Sequence, residues 1–132
     1  MNKSSKRRIK TLEPKTKELA LLFLPLADKW LKENGWEGNT FEITEGKRDI
    51  YKQAGLYSLG RKYVNWEGWQ VADPLSVVTW TMKSNHLTGH AFDCAMYLDK
   101  LYSWPNPKIE KNLLMWLSLA EIGQELGLYP GG

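Results

Sequence analysis

Ser84-Asn85-His86-Leu87-Thr88-Gly89-His90-Ala91-Phe92-Asp93 gathers both histidines of the chain beside an aspartate. A neutral imidazole and a carboxylate are both good ligands for zinc. Ala91 to Tyr97 reads as a strand, and on a strand Asp93 shares a face with Ala91 and Ala95. Such small neighbours leave room for a metal and a substrate. His86 then reaches over from the preceding loop, and Gly89 permits the tight backbone path between the two. A His-x6-Asp pair taken alone serves structure as readily as metal binding. His90 offers a second pairing, four residues after His86. The helical zinc motif, however, places Glu directly after its first histidine, and this chain has Leu87 there. Strand parity turns His90 and Cys94 away from Asp93. His90 therefore reads as a surface or packing residue, and Cys94 as a small buried apolar one.

Upstream, Thr40-Phe41-Glu42-Ile43-Thr44 alternates apolar and polar residues as a half-buried strand does, and Glu45-Gly46 turns the chain. A helix follows from about Asp49 to Leu59, closed by Gly60. A longer helix is expected from about Pro14 to Asn34, with Leu19, Leu22, Phe23, Leu26, Ala27, Trp30 and Leu31 at helical spacing and Gly35 just past its end. Pro25 should kink or divide it. Residues 61–84 show no clean period and read as a long loop with one candidate strand at Val77-Val78-Thr79-Trp80. Loops of that length are uncommon unless they line a functional site. Downstream, Asn106-Pro107 supplies a cap and a first-turn proline for a helix running to about Leu126. Its expected inner face is Ile109, Leu113, Trp116, Leu117 and Ala120, and Gly127 ends it. Helices and short strands in mixed order indicate an α+β domain. With no repeat and no low-complexity linker, residues 1–132 form one domain.

Composition sets outer bounds. The 132 residues are 42% apolar and 25% charged, as in ordinary globular proteins. No run approaches the roughly 20 apolar residues that span a bilayer. The basic amino terminus lacks the apolar core and cleavage site of a signal peptide, so the chain is expected to begin its life in the cytoplasm. A single cysteine, Cys94, excludes an internal disulfide. Lys3, Lys6, Arg7, Arg8 and Lys10 crowd the first ten residues. Attraction to a polyanion is one reading of them, and a mobile solvated tail over residues 1–13 is the expected one. The seven tryptophans are expected in the core, with sugar-binding platforms as the alternative.

Ser84, His86, Gly89, Ala91 and Asp93 fill the pattern Ser-x-His-x-x-Gly-x-Ala-x-Asp. This resembles the zinc signature of the family of VanY-type D-alanyl-D-alanine carboxypeptidases and phage L-alanyl-D-glutamate endopeptidases. A second stretch, Thr44-Glu45-Gly46-Lys47-Arg48 with Gln53, Leu56-Tyr57, Gly60 and Arg61, is similar to that family's "S-G-Y-R-S-x-x-x-Q-x-x-L-Y-x-x-G-R" block. Glu45 replaces its small residue and Lys47 its aromatic. A third, Ile122-Gly123 through Leu126-Gly127-Leu128 to Gly131-Gly132, looks like the family's last helix and the start of its "G-G-x-W" turn. The likeness covers roughly residues 40–132 and favours the compact endolysin branch.

The resemblance implies a small antiparallel sheet packed with helices, of the D-Ala-D-Ala peptidase or hedgehog-like type. It implies zinc held by His86 and Asp93, with Arg48 steadying the substrate carbonyl as it gains negative charge. Ser84 would support the site by hydrogen bonding, and Gln53 and Tyr57 would bind substrate. The substrate would be bacterial peptidoglycan, cut between L-Ala and D-Glu of the stem peptide by a monomer with no nucleic-acid partner. A phage enzyme of this kind waits in the host cytoplasm until lysis and then meets the wall. Family members carry an acidic general base and a third zinc-binding histidine just past the Gly-Gly turn. Such residues would follow Gly132, so this chain is expected to be truncated and its own activity reduced or lost. D-Ala-D-Ala carboxypeptidase activity and a non-catalytic wall-binding remnant are the competing readings. A small basic nucleic-acid binder would leave the Ser84–Asp93 pattern unexplained.

Overall fold

In a computed structural model, residues 1–77, 82 and 84–130 are described. Helix α2 spans Pro14–Glu33. Glu13 starts it, its carboxylate accepting the backbone N–H groups of Lys15 and Thr16. Ala20, Phe23, Leu24, Ala27 and Leu31 form its buried stripe. The small side chains of Ala20 and Ala27 sit at the centre of that contact. Leu22 and Leu26, expected inside, are exposed one step around the helix. Pro25 does not divide α2, which runs through it as one element with the ring on the solvent side.

Two strands, β1 (Thr40–Glu45) and β4 (Asp93–Leu98), carry the centre of the molecule. With β5 (Leu101–Ser103) they form an antiparallel sheet of order β1-β4-β5. One face presents Phe41, Ile43 and Met96 to α2 and to helix α4 (Glu110–Leu126), making the core with Phe23, Leu31, Met115 and Leu119. Phe41 lies between Phe23 and Trp116, each ring centroid 5.9 Å away. In α4 the buried stripe is Met115, Leu119 and Gly123. Ile109, Leu113 and Leu117, expected to be buried, are exposed instead, because the side of α4 that approaches α2 is the one bearing Gly123. The cap also differs from expectation. Asn106 accepts the Lys108 N–H, but the helix begins at Glu110.

The other face of the sheet is covered by the amino terminus. Residues 1–13 are not the mobile tail that their charge suggests, since Lys3–Ile9 form helix α1 and pack on β1. Asn2 caps α1 by accepting the Ser5 N–H. Glu42, buried on β1, accepts the Asn2 N–H at 2.6 Å and the Ser5 hydroxyl at 3.3 Å. Arg8 donates to the Ile43 carbonyl at 2.9 Å. These anchors are polar, so apolar periodicity does not reveal them.

Helix α3 (Ile50–Ser58) follows β1, capped by Asp49. The stretch expected as loop contains a hairpin, β2 (Arg61–Val64) paired with β3 (Gly68–Val71). Of the strand expected at Val77–Trp80, residues 78–80 lie outside the described residues. The described tryptophans divide: Trp30, Trp36 and Trp116 pack against the core, whereas Trp66, Trp69 and Trp104 are exposed, contrary to the expectation of a core role. Trp66 and Trp69 belong to the two-stranded hairpin, beneath which no second layer lies among the described residues. The architecture is α+β, a small antiparallel sheet packed with helices, as the sequence suggests. Among the described residues no helix is long and apolar enough to cross a membrane.

Candidate functional site

Three chain segments converge at one end of β1 and β4. The pairing of the strands runs regularly from Thr40 opposite Tyr97 to Ile43 opposite Cys94, and then shifts so that Glu45 stands opposite Asp93. The extra residue is Thr44. Without this bulge, alternation would send Glu45 to the apolar face; with it, Glu45 and Asp93 share a side. His86 arrives on a short 3-10 turn, Asn85–Thr88, rather than on an irregular loop. Ser84 caps that turn, its hydroxyl accepting the His86 N–H at 3.2 Å. Gly89 closes it in the left-handed region at φ 76°, where a side chain is strained.

One donor atom each from Glu45, His86 and Asp93 can be chosen so that all three lie within 4.8 Å of one another. His86 Nε2 is 3.6 Å from Asp93 Oδ1, and Nδ1 is 3.3 Å from the Gly46 carbonyl and 3.7 Å from Glu45 Oε1. A carbonyl only accepts. The protonated ring donates from both nitrogens, whereas a neutral ring bonded to Gly46 carries its proton on Nδ1 and turns its Nε2 lone pair towards Asp93. This is the arrangement of metal-binding histidines, whose outer nitrogen is held by a carbonyl or carboxylate. Arg48 reaches into the same space. Its Nε and Nη2 bond Glu45, Nη1 donates to Gln53 Oε1 at 2.6 Å, and Nη2 stands 3.9 Å from Asp93 Oδ2. Lys52 binds the second oxygen of Glu45. A backbone bond from Arg48 N–H to the His86 carbonyl, 2.7 Å long, joins the two loops.

The charges tune one another. The Asp93 carboxylate facing its ring raises His86 above the usual histidine range, against the opposing effect of burial. Reciprocally, His86 holds Asp93 below the usual carboxylate range despite partial burial. Burial pushes Glu45 up, but its hydrogen bonds with Lys52 and Arg48 outweigh this and leave it lowered. Cys94 is raised well above the usual thiol range by burial, which keeps it protonated and inert.

Of the residues singled out from sequence, Arg48, Gln53, His86 and Asp93 meet in this cluster, and Ser84 fixes the turn that carries one of them. Tyr57 does not join them. It lies at the far end of α3 with the Arg61 guanidinium 4.0 Å over its ring. His90 is on the surface, 2.7 Å from the Thr88 hydroxyl and 3.8 Å from Glu13. Sequence reading missed Glu45, placing it in a turn, because strand parity cannot register a bulge. The available signal was its place three residues before Arg48, where a carboxylate replaces a small residue. A cleft of about 1260 Å³ opens beside the cluster, between α2, β4 and α4, with His86, Asp93, Phe23, Trp104, Trp116 and Leu117 among its walls.

No protein-family model and no curated protein sequence matches the chain. Among solved structures it is similar to the L-Ala D-Glu endopeptidase ChiX of Serratia marcescens. That likeness has a TM-score of 0.54 and 18% sequence identity, and covers 97% of this chain and 74% of the other. The chain therefore shares the fold of that peptidase.

Proposed function

We propose that this chain is a metal-dependent peptidase of the bacterial cell wall, of the endolysin kind, cutting the L-Ala–D-Glu bond of the peptidoglycan stem. The observation that carries the reading is the meeting of His86, Asp93 and Arg48 at a cleft, on a fold shared with an L-Ala D-Glu endopeptidase.

Zinc fits the donor set. Ligand atoms about 2.0–2.2 Å from a tetrahedral ion stand roughly 3.3–3.6 Å from each other, and His86 Nε2 and Asp93 Oδ1 are 3.6 Å apart. The Gly46 carbonyl holds the opposite nitrogen and fixes the ring. Bound zinc would polarise the scissile carbonyl and lower the pKa of an attacking water. His86 and Asp93 would hold it, with the Glu45 carboxylate adjacent.

Arg48 supplies fixed positive charge beside the reacting carbonyl. Glu45 and Gln53 grip three of its guanidinium nitrogens, so the cation is oriented before substrate arrives. Gln53 is fully buried, and its rigidity is passed to Arg48. Lys52 neutralises the outer oxygen of Glu45, so that Arg48 and Lys52 together balance Glu45 and Asp93.

The test is release of new amino groups from purified peptidoglycan, with added zinc and with a chelator. Zinc-dependent release of N-terminal D-Glu is expected. Release of free D-Ala would instead assign carboxypeptidase activity. Wall binding with no cleavage under any condition would overturn the enzymatic reading in favour of a binding module.

A further inference from the structure

Arg48 and His86 sit on separate loops, and both loops rest on the elbow between α1 and α2. Thr11 is the centre of that elbow. Its hydroxyl donates to the Arg8 carbonyl at 2.6 Å and accepts the Lys47 N–H at 2.9 Å, one residue from Arg48. Two residues on, the Glu13 N–H bonds the Gly89 carbonyl at 3.0 Å, at the end of the turn that bears His86. The packing is equally close. A Cβ on Gly46 would stand 2.4 Å from the Thr11 hydroxyl and 2.5 Å from the Arg8 carbonyl oxygen. A Cβ on Gly89 would stand 2.8 Å from the Glu13 nitrogen. The two loops are also bonded to each other, through Arg48 N–H to the His86 carbonyl and His86 Nδ1 to the Gly46 carbonyl. Elbow and loops thus form a closed ring of contacts.

We propose that Thr11 is a positioning residue of the candidate site, its hydroxyl setting the Gly46–Arg48 loop against the His86 turn. The assignment rests on the reading of His86 and Arg48 as working groups. Thr11 touches neither of them and acts through the backbone of Lys47 and the close approach of Gly46. Valine has the shape of threonine without its hydrogen bonds, whereas serine keeps them, so the two substitutions separate the hydroxyl from the packing.

The experiment compares Thr11→Val and Thr11→Ser with the parent chain by amide exchange and by cobalt(II) titration. In Thr11→Val the Lys47 amide should exchange about fivefold faster, as expected for loss of one hydrogen bond. Exchange at Ile43 and Met96 should be unchanged. Cobalt(II) affinity should fall roughly tenfold, the low end for outer-shell partners, and Thr11→Ser should restore both. Parent-like Lys47 exchange in Thr11→Val, or failure of Thr11→Ser to restore it, overturns the proposal. If the parent neither binds cobalt(II) nor releases amino groups from walls, the peptidase reading falls. Lys47 exchange still decides the role of Thr11 in that case.

Discussion

The two faces of the central sheet are held by different physics. Towards α2 and α4 the contact is apolar, with Phe41, Ile43 and Met96 meeting Phe23, Leu31, Met115 and Leu119. Towards α1 it is mainly a network of hydrogen bonds around a buried carboxylate, with Glu42 at its centre and Asn2 and Ser5 as donors, and Ile9 is the one buried apolar residue of that helix. Apolar burial is non-directional and tolerant of small shifts. A hydrogen-bonded interface fixes register but gains little net free energy per bond. The candidate site stands at the end of the second face, where register matters more than depth of burial.

That contrast can be broken most forcefully from the apolar side. Ile43→Ala is expected to lower the unfolding free energy by about 2–5 kcal/mol in urea denaturation, because Ile43 is wholly buried. A loss under 1 kcal/mol would mean that this face is not the main source of stability.

At the candidate site, Arg48→Met should reduce the proposed zinc-dependent wall cleavage by roughly 100- to 1000-fold while fold and metal affinity are largely kept. Equal losses of cleavage and of cobalt(II) binding would make Arg48 a support for the metal rather than for the reacting carbonyl.

Glu42→Ala tests the polar face and should cost about 1–3 kcal/mol, by leaving buried donors unpaired. Amide exchange should rise throughout α1 while α2 stays protected. If α1 remained protected, Arg8 and Ile9 alone would suffice to hold it.

The smallest effect concerns pH. His86 is raised in the folded chain, so its contact with Asp93 stabilises fully below about pH 6.5, and this contribution fades as pH rises through the raised value. Asp93 is lowered, so its share is present above about pH 3.9 and fades as pH falls through the lowered value. The pair therefore contributes between those limits. The Asp93 side chain is 54% exposed, and water screens the pair. Stability lost by Asp93→Asn should accordingly be larger at pH 5.5 than at pH 8.5, and modest at both. Metal binding has the opposite slope, since it needs neutral His86. Cobalt(II) affinity should begin to fall at a higher pH than an ordinary histidine would impose.

The same contrast explains what could be read from sequence. The boundaries of α2 and α3 and the alternation of β1 were legible because they are written in capping residues and apolar spacing. The sides that helices present were less so: Leu22, Leu26, Leu113 and Leu117 look like core residues by spacing and are exposed, because tertiary packing chose the sides with Ala20, Ala27 and Gly123. Helix α1 was hidden by its own charge, since its attachment lies in Ser5, Asn2 and Glu42 rather than in an apolar stripe. In the candidate site, the sequence reading singled out His86, Asp93 and Arg48, which the structure brings together. It did not reveal Glu45, whose placement depends on a pairing shift that no single residue announces.

That shift makes the site depend on counting as well as on chemistry. Thr44 contributes to it by occupying a place in the chain, so exchanging its side chain leaves the count intact. Deleting it would remove the bulge and leave Glu45 next to Ile43, where plain alternation still sets it opposite Asp93 and away from the apolar face. A survey of point substitutions would rank position 44 as unremarkable, and a survey of single-residue deletions would find it more forgiving than Ile43, whose loss would put Thr44 in its place on the apolar face.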